Sequence, residues 1–184
     1  MADVLRVKFM MGLFDNPYRG DVERPEKVVH CKEHQNISME AALKSIVLLK
    51  NENNILPLSK TLKKVAVIGP NADEVTNLIC RYGPANAPIR TVYQGIKDYL
   101  PHTEVCYAKG VDIIDRYFPE SELYNVPLDA KEQAGIDEAV ALARESDVTI
   151  MVLGGNEKTV REEYSRTSLI CVDGKRYCCK QFML

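Results

Sequence analysis

Charged side chains are concentrated in residues 154–166, which read GGNEKTVREEYSR. This segment holds three glutamates and two arginines: Glu157, Glu162, Glu163, Arg161 and Arg166. A glutamate can protonate a departing oxygen when its surroundings raise the pKa of the carboxyl group. On spacing alone, solvated surface charges are the favoured interpretation of all three glutamates, so general acid catalysis is a hypothesis at this point.

The elements that would position these side chains are apolar runs ending in glycine turns. Residues 154–166 follow the run Val148–Leu153, and the turn GPNAD at residues 69–73 follows the run Val65–Ile68. Uninterrupted runs of this kind are typical of strands covered on both faces. Glu104–Tyr107 predicts a third, weaker strand. Because open α/β sheets bind ligands at the carboxyl ends of their strands, both glycine-led loops are candidate site loops.

Helical periodicity separates the three predicted strands. Val92, Ile96 and Tyr99 predict one face of a short helix, and Asp129 with Glu132 predicts a capping box at the start of another. The latter helix would place these apolar residues on one face: Ile136, Ala139, Val140 and Ala143. Asp147 is predicted to end it. The alternation of strands and helices predicts an α/β fold, an incomplete doubly wound, mostly parallel sheet with helices on both faces.

An earlier helix is predicted to begin at Ser38, whose hydroxyl can cap it. Its apolar positions recur at spacings of three and four: Ala41, Ala42, Ser45, Ile46 and Leu49. Residues 1–37 do not have a regular pattern, and we expect them to form an extended connector.

Composition excludes several classes of function. The chain has 184 residues, 24 basic and 26 acidic, and no basic stripe, so we expect no nucleic-acid partner. No apolar run approaches the roughly 20 residues of a membrane helix, and we expect no membrane partner. The six cysteines include no C-x-x-C pair and form no ligand pattern with the three histidines, so a zinc site is not expected and no metal site is predicted. Neither glycine turn matches G-x-G-x-x-G or G-x-x-x-x-G-K-[ST], which disfavours phosphate binding.

Six segments together resemble glycoside hydrolase family 3, the β-glucosidases and β-xylosidases. In chain order they are KFMMGLFDNPY, EAALKSIVLLKNENNILPL, KKVAVIGPNAD, TVYQGIKDYL, ESDVTIMVLGG and TVREEYSRTSL. The resemblance covers residues 5–169. It implies a (β/α)₈ barrel followed by a three-layer α/β sandwich with the active site between them. It also implies a nucleophilic aspartate on the barrel and an acid/base glutamate on a loop of the sandwich.

The resemblance divides the chain into three parts. Residues 1–37 resemble the barrel exit and linker, residues 38–169 part of the sandwich, and residues 170–184 form an aberrant tail. Asp15 resembles a connector residue, so the chain would contain no nucleophile and would lack its intramolecular partner, the barrel. Retaining hydrolysis needs two carboxyls about 5 Å apart. The chain is therefore expected to be an inactive fragment of an enzyme that hydrolyses terminal β-linked glucose or xylose.

The family pattern places the acid/base glutamate four residues before the arginine of a Ser-Arg or Asp-Arg pair. Ser165-Arg166 matches that pair and indicates Glu162, with Glu163 as the runner-up because the loop varies in length. Arg166 would hold the loop. A β-linked oligosaccharide or glycoside would be the substrate of the parent enzyme, which would need no cofactor. The alternative is a stand-alone carbohydrate-binding or interaction module.

The resemblance stops after Leu169, where ICVDGKRYCCKQFML carries half of the cysteines. Codons allowed for these residues, regrouped after one added G, can spell a segment beginning Asp-Leu-Arg-Gly-Arg, which resembles the family continuation. We therefore expect a frameshift, with a divergent but real C-terminus as the alternative. The location of the chain is left open, while the resemblance implies a periplasmic or secreted parent.

Overall fold

A computed structural model divides the chain into two compact units, Met1–Pro57 and Leu58–Leu184. The structure describes residues 1–18, 20, 22–79, 82–83, 88–124, 126–162 and 165–166.

The first unit is made of short helices joined by turns. They are α1 (Ala2–Met10), α2 (Arg24–Val28) and α3 (Lys32–Ser45), followed by a 3₁₀ turn at Glu52–Asn54. None of the residues described between Met1 and Pro57 is buried. Ion pairs one turn apart accompany two of the helices: Lys27 with Glu23 at 2.9 Å, and Lys44 with Glu40 at 2.6 Å. The helices of this unit are therefore accompanied mainly by interactions between residues close in sequence.

Three expectations for this unit are wrong. Residues 1–37 are not an extended connector, since they contain α1, α2 and the start of α3. Ser38 does not cap α3; it lies inside this helix, which begins at Lys32 after Cys31. The reason is that residues 32–37 include neither glycine nor proline, so the helix extends back beyond the first good capping residue. Ile46 and Leu49 were also expected in this helix, but it ends at Ser45, and Ile46 is extended with ψ 126°.

The second unit contains a three-stranded parallel sheet. Its strands are β1 (Lys64–Ile68), β2 (Glu104–Ala108) and β3 (Val148–Met151), in the order β2-β1-β3. Strand β1 is central, and Val65 pairs with Val105 on one side and Val148 on the other. All three predicted strands are confirmed, although β3 ends two residues earlier than the apolar run.

The helices of this unit are α4 (Thr76–Ile79), α5 (Val92–Tyr99) and α6 (Ala130–Arg144), with a 3₁₀ turn at Glu120–Glu122. The predicted capping box opens α6: Asp129 accepts from the N–H of Glu132, and Glu132 accepts from the N–H of Asp129. Helix α5 begins with a capping box of its own, formed by Thr91 and Gln94. The sequence did not predict this second box.

The two faces of the sheet are covered by different helices. Val65 and Val67 pack on one face with Leu100 and with Tyr93 and Ile96 of α5. Ala66, Ile68 and Ala108 pack on the opposite face against α6, at these positions: Ala139, Leu142 and Ala143. The unit therefore has the predicted layers, helix on sheet on helix, and it is a doubly wound α/β fold.

The sequence predicted that Asp147 ends α6, but this helix already ends at Arg144. Its carboxylate instead accepts hydrogen bonds from the backbone N–H groups of Lys63 at 2.7 Å and Lys64 at 3.0 Å. These bonds, the one from Lys64 first, hold the pKa of Asp147 below its ordinary value. Asp147 thereby connects the start of β3 to the start of β1. This contact lies at the amino ends of the strands, whereas the glycine-led loops follow their carboxyl ends.

Candidate functional site

The loop after β1 begins at a position that only glycine can occupy. Gly69 has φ 134°, and its N–H donates to the carbonyl oxygen of Ala108 at 3.1 Å. A Cβ atom on Gly69 would collide with the backbone of Val152, whose own N–H donates to the oxygen of Ile68 at 2.7 Å. Gly69 therefore lets the carboxyl ends of all three strands lie close together.

Asp73 connects the same loop to α5. The hydroxyl of Thr91, which is buried, donates to the carboxylate of Asp73 at 2.6 Å. The N–H of Tyr93 donates to the oxygen of Ala72 at 2.9 Å. GPNAD is thus fixed to the sheet at its first residue and to a helix at its last two.

The loop after β3 is closed by Asn156 and Thr159. The oxygen of Asn156 accepts from the N–H groups of Thr159 and Val160, at 2.9 and 3.0 Å. The N–H of Asn156 donates to the hydroxyl of Thr159 at 3.1 Å, and Thr159 is 1% exposed. The N–H of Lys158 adds a bond of 2.8 Å to the Asn156 side chain. The first half of the loop is therefore held by its own hydrogen bonds.

Asn71 joins the two loops. Its side-chain Nδ2 donates to the carbonyl oxygen of Gly154 at 3.3 Å, and its Oδ1 accepts from Nδ2 of Asn77 at 3.1 Å. Gly154 has φ 147°, a conformation that favours glycine. The sequence pointed to the two loops separately and did not predict this contact, although both loops follow strands at the same edge.

The charged residues of the predicted site lie in different surroundings. Glu157 and Arg161 are half-buried and form an ion pair at 3.7 Å. Glu162 is exposed and Arg166 is half-buried. Glu163 and residues 170–184 lie outside the described residues. The role of Glu162 as acid/base, with Glu163 as runner-up, and that of Arg166 as a loop-structuring residue stay predictions.

A further cleft, of about 340 Å³, lies where β2 ends beside the start of α6. Lys109 forms an ion pair with Asp112, and Lys131 lies 3.7 Å from the same carboxylate. The hydrogen bond between Lys109 and Asp112 is the main cause that raises the pKa of the lysine and lowers that of the aspartate. The sequence did not predict this cluster; its position directly after a strand was the available signal.

Within the described part of the chain, no group of three or more histidine, cysteine, aspartate or glutamate side chains is arranged to hold a metal ion. No helix in that part is long and apolar enough to cross a membrane.

The parallel sheet defines an α/β domain with two joined loops at the carboxyl ends of its strands, the position at which open α/β sheets bind their ligands. Residues 46–182 match the Glycosyl hydrolase family 3 C-terminal domain. The chain belongs to glycoside hydrolase family 3. The match extends past Leu169, where the resemblance was expected to stop, to residue 182. The frameshift in the tail stays a prediction.

Relatives of this family are similar over nearly the whole chain. A β-xylosidase of Formosa agariphila is 34% identical over 90% of this chain, which spans 22% of that protein. A periplasmic β-glucosidase of Salmonella typhimurium is 34% identical over 94% of this chain, which spans 24% of it. The solved structure of a β-glucosidase involved in saponin metabolism from intestinal bacteria is similar with a TM-score of 0.75 at 32% identity. That match covers 97% of this chain and 27% of the solved one.

Proposed function

We propose that the chain forms part of a retaining β-glycosidase that hydrolyses terminal β-linked glucose or xylose, and that Glu162 is its acid/base residue. One observation carries the proposal: Glu162 belongs to the loop that follows the carboxyl end of β3 in a family 3 domain. Its spacing of four residues from Arg166 in the Ser165-Arg166 pair supports the assignment. The β-xylosidase and β-glucosidase names of the relatives support the substrate class.

In this proposal Glu162 acts twice. Its neutral carboxyl group donates a proton to the departing glycosidic oxygen, and the resulting carboxylate then removes a proton from the water that releases the sugar. Exposure of Glu162 in this structure suits a group that meets a substrate bound against another domain. Arg166 and the ion pair of Glu157 with Arg161 would hold the loop in place.

The retaining route also needs a nucleophilic carboxylate about 5 Å from the acid/base group. The family resemblance assigns that carboxylate to the barrel, and Asp15 resembles a connector residue. We therefore propose that this chain by itself hydrolyses no glycoside, and that a barrel is its intramolecular partner. The Salmonella relative is a periplasmic β-glucosidase, which supports a periplasmic or secreted location for the longer protein.

The purified chain should not hydrolyse aryl β-glucosides or β-xylosides above background. Turnover that survives purification and disappears in Glu162→Gln would overturn the claim of inactivity. Sugar binding by the folded chain, measured by calorimetry, would instead favour the stand-alone carbohydrate-binding module.

The acid/base role is tested in a longer protein that joins this chain to a family 3 barrel. Glu162→Ala should slow substrates with poor leaving groups by about 10²–10⁴-fold, because only these need protonation of the departing oxygen. Activated substrates should be slowed much less and partly rescued by azide. If Glu163→Ala behaves in this way and Glu162→Ala does not, the assignment belongs to Glu163.

A further inference from the structure

We propose that Asn71 is a positioning residue for the loop that carries Glu162, and that Asn77 sets the orientation of the Asn71 amide. The inference rests on the proposed role of Glu162. It assigns to the loop after β1 an indirect function in the reaction, which the side chain of Asn71 performs by positioning the loop after β3.

The contact between Asn71 and Gly154 lies at the point where the chain leaves β3. The Nδ2 group donates to the oxygen of Gly154 at 3.3 Å, which fixes the peptide plane between Gly154 and Gly155. Two consecutive glycines have few conformational restraints of their own, so a bond from outside the loop has a large effect on its direction there.

The residues that follow are joined by hydrogen bonds into one closed turn. Asn156 and Thr159 close the next turn with bonds of 2.9–3.1 Å, and Thr159 is buried. A Cβ atom on Gly155 would lie 2.8 Å from the hydroxyl of Thr159, so this turn also packs closely against Gly155. A backbone rotation at Gly154 therefore changes the position of the whole turn closed by Asn156 and Thr159. Glu162 lies two residues after Val160 and changes position with this turn.

Asn77 determines which end of the Asn71 amide faces Gly154. Its Nδ2 group donates to Oδ1 of Asn71 at 3.1 Å, and a flipped amide would bring two N–H donors together. Both asparagines are half-buried, which limits competition from water. Asn77, which lies in α4, thus favours the amide orientation in which Asn71 can donate to Gly154.

The first test measures amide hydrogen exchange in this chain, comparing the native sequence with Asn71→Asp. An aspartate has nearly the same shape but has no N–H with which to reach Gly154. The amides of Thr159 and Val160 should exchange about tenfold faster, while amides of β1 should keep their rates. Unchanged loop rates, or equal acceleration in β1 and the loop, would overturn the proposal.

Two further variants make this result specific. Asn77→Ala leaves the donor on Asn71 but removes the bond that orients it, so a smaller acceleration of about threefold is expected in the same amides. It also replaces Asn71→Asp if that variant does not fold. Asn51→Asp is the matched control, because Asn51 donates from its side chain to the oxygen of Leu56 at 3.0 Å in the other unit. Asn51→Asp should leave the exchange rates of the Thr159 and Val160 amides unchanged.

The second test uses the longer protein and separates positioning from stability. Asn71→Asp should slow substrates with poor leaving groups about tenfold while leaving KM and the rate with activated substrates unchanged. Equal slowing of both classes would contradict positioning of the acid/base group. If the exchange result holds but Glu162→Ala shows no leaving-group dependence, then the contact stands and the proposed role of Glu162 fails.

Discussion

The two units differ in what stabilises their secondary structure. In the second unit the central strand β1 has four consecutive apolar residues, Val65–Ile68, that are completely buried. In the first unit no described residue is buried, and large apolar side chains such as Met10 and Leu49 are 81% and 91% exposed. The same elements, short helices and apolar runs, therefore depend on tertiary packing in one unit and on local interactions in the other.

The comparison separates helices that bury side chains from helices that do not. Helices α1, α2 and α3 have 9, 5 and 14 residues, and helices of these lengths are marginal in water without packing. Helix α6 has a similar length, 15 residues, but buries Ile136 and Ala139 against the rest of its unit. Substitutions of the same type should thus have very different effects in α3 and α6.

The largest effect is expected for Ile136→Ala, because Ile136 is 1% exposed and packs with Val111. Removing its three outer carbons should lower the free energy of unfolding of the second unit by about 2–5 kcal/mol. The matched change in the first unit is Leu43→Ala in α3, where Leu43 is exposed; it should change stability by less than about 0.5 kcal/mol. Urea unfolding followed by circular dichroism measures both, and similar losses would contradict the comparison.

A second, smaller effect distinguishes two glycines in helices of the second unit. Gly135 of α6 lies against the carbonyl oxygen of Gly110, with which a Cβ atom would collide, so Gly135→Ala should destabilise by roughly 1–3 kcal/mol. Gly95 of α5 has open space around it, so Gly95→Ala should stabilise by about 0.5–1 kcal/mol. Thermal unfolding measures whether each variant is stabilised or destabilised. A Gly135→Ala variant as stable as the native chain would show that α6 can move away from Gly110.

The sequence predicted the second unit well because its signals are strong and consistent. The apolar run Val65–Ile68 indicated a buried strand, and Asp129 with Glu132 indicated the start of α6; both are confirmed. The first unit was predicted poorly. Ser38 satisfies the local rule for a helix cap, but nothing before it stops the helix, so the rule selected an interior residue.

The candidate site could be predicted only as two loops. Their positions after β1 and β3 follow from the glycine turns, but the contact of Asn71 with Gly154 spans 83 residues of sequence. Asp147 shows the same difficulty, because its partners Lys63 and Lys64 are 84 and 83 residues away. Hydrogen bonds between a side chain and a distant backbone group leave no periodic pattern in the sequence.

Asp147 also gives a prediction about pH. Its folded pKa is lowered, so its contribution to stability is present above the unfolded value of about 3.9 and is lost as the pH falls through the folded pKa. Asp147→Ala should therefore lower the thermal midpoint at pH 7, and this difference should shrink below about pH 4. Asp147→Asn keeps one acceptor oxygen without a charge, so its difference from the native chain at pH 7 should be smaller. A deficit of Asp147→Ala that is independent of pH would contradict the account.

The smallest effect is expected in the first unit, from the ion pair of Glu40 with Lys44 in α3. The two side chains lie 2.6 Å apart and are 64% and 74% exposed, so water weakens their attraction. A double-mutant cycle with Glu40→Ala and Lys44→Ala should give a coupling free energy of about 0.3–0.5 kcal/mol, measured from the helical signal. At 1 M salt the Debye length falls to about 3 Å, and the coupling should disappear. A coupling that exceeds about 1 kcal/mol or resists salt would mean that α3 is shielded from water in solution, and local interactions would then no longer account for the first unit.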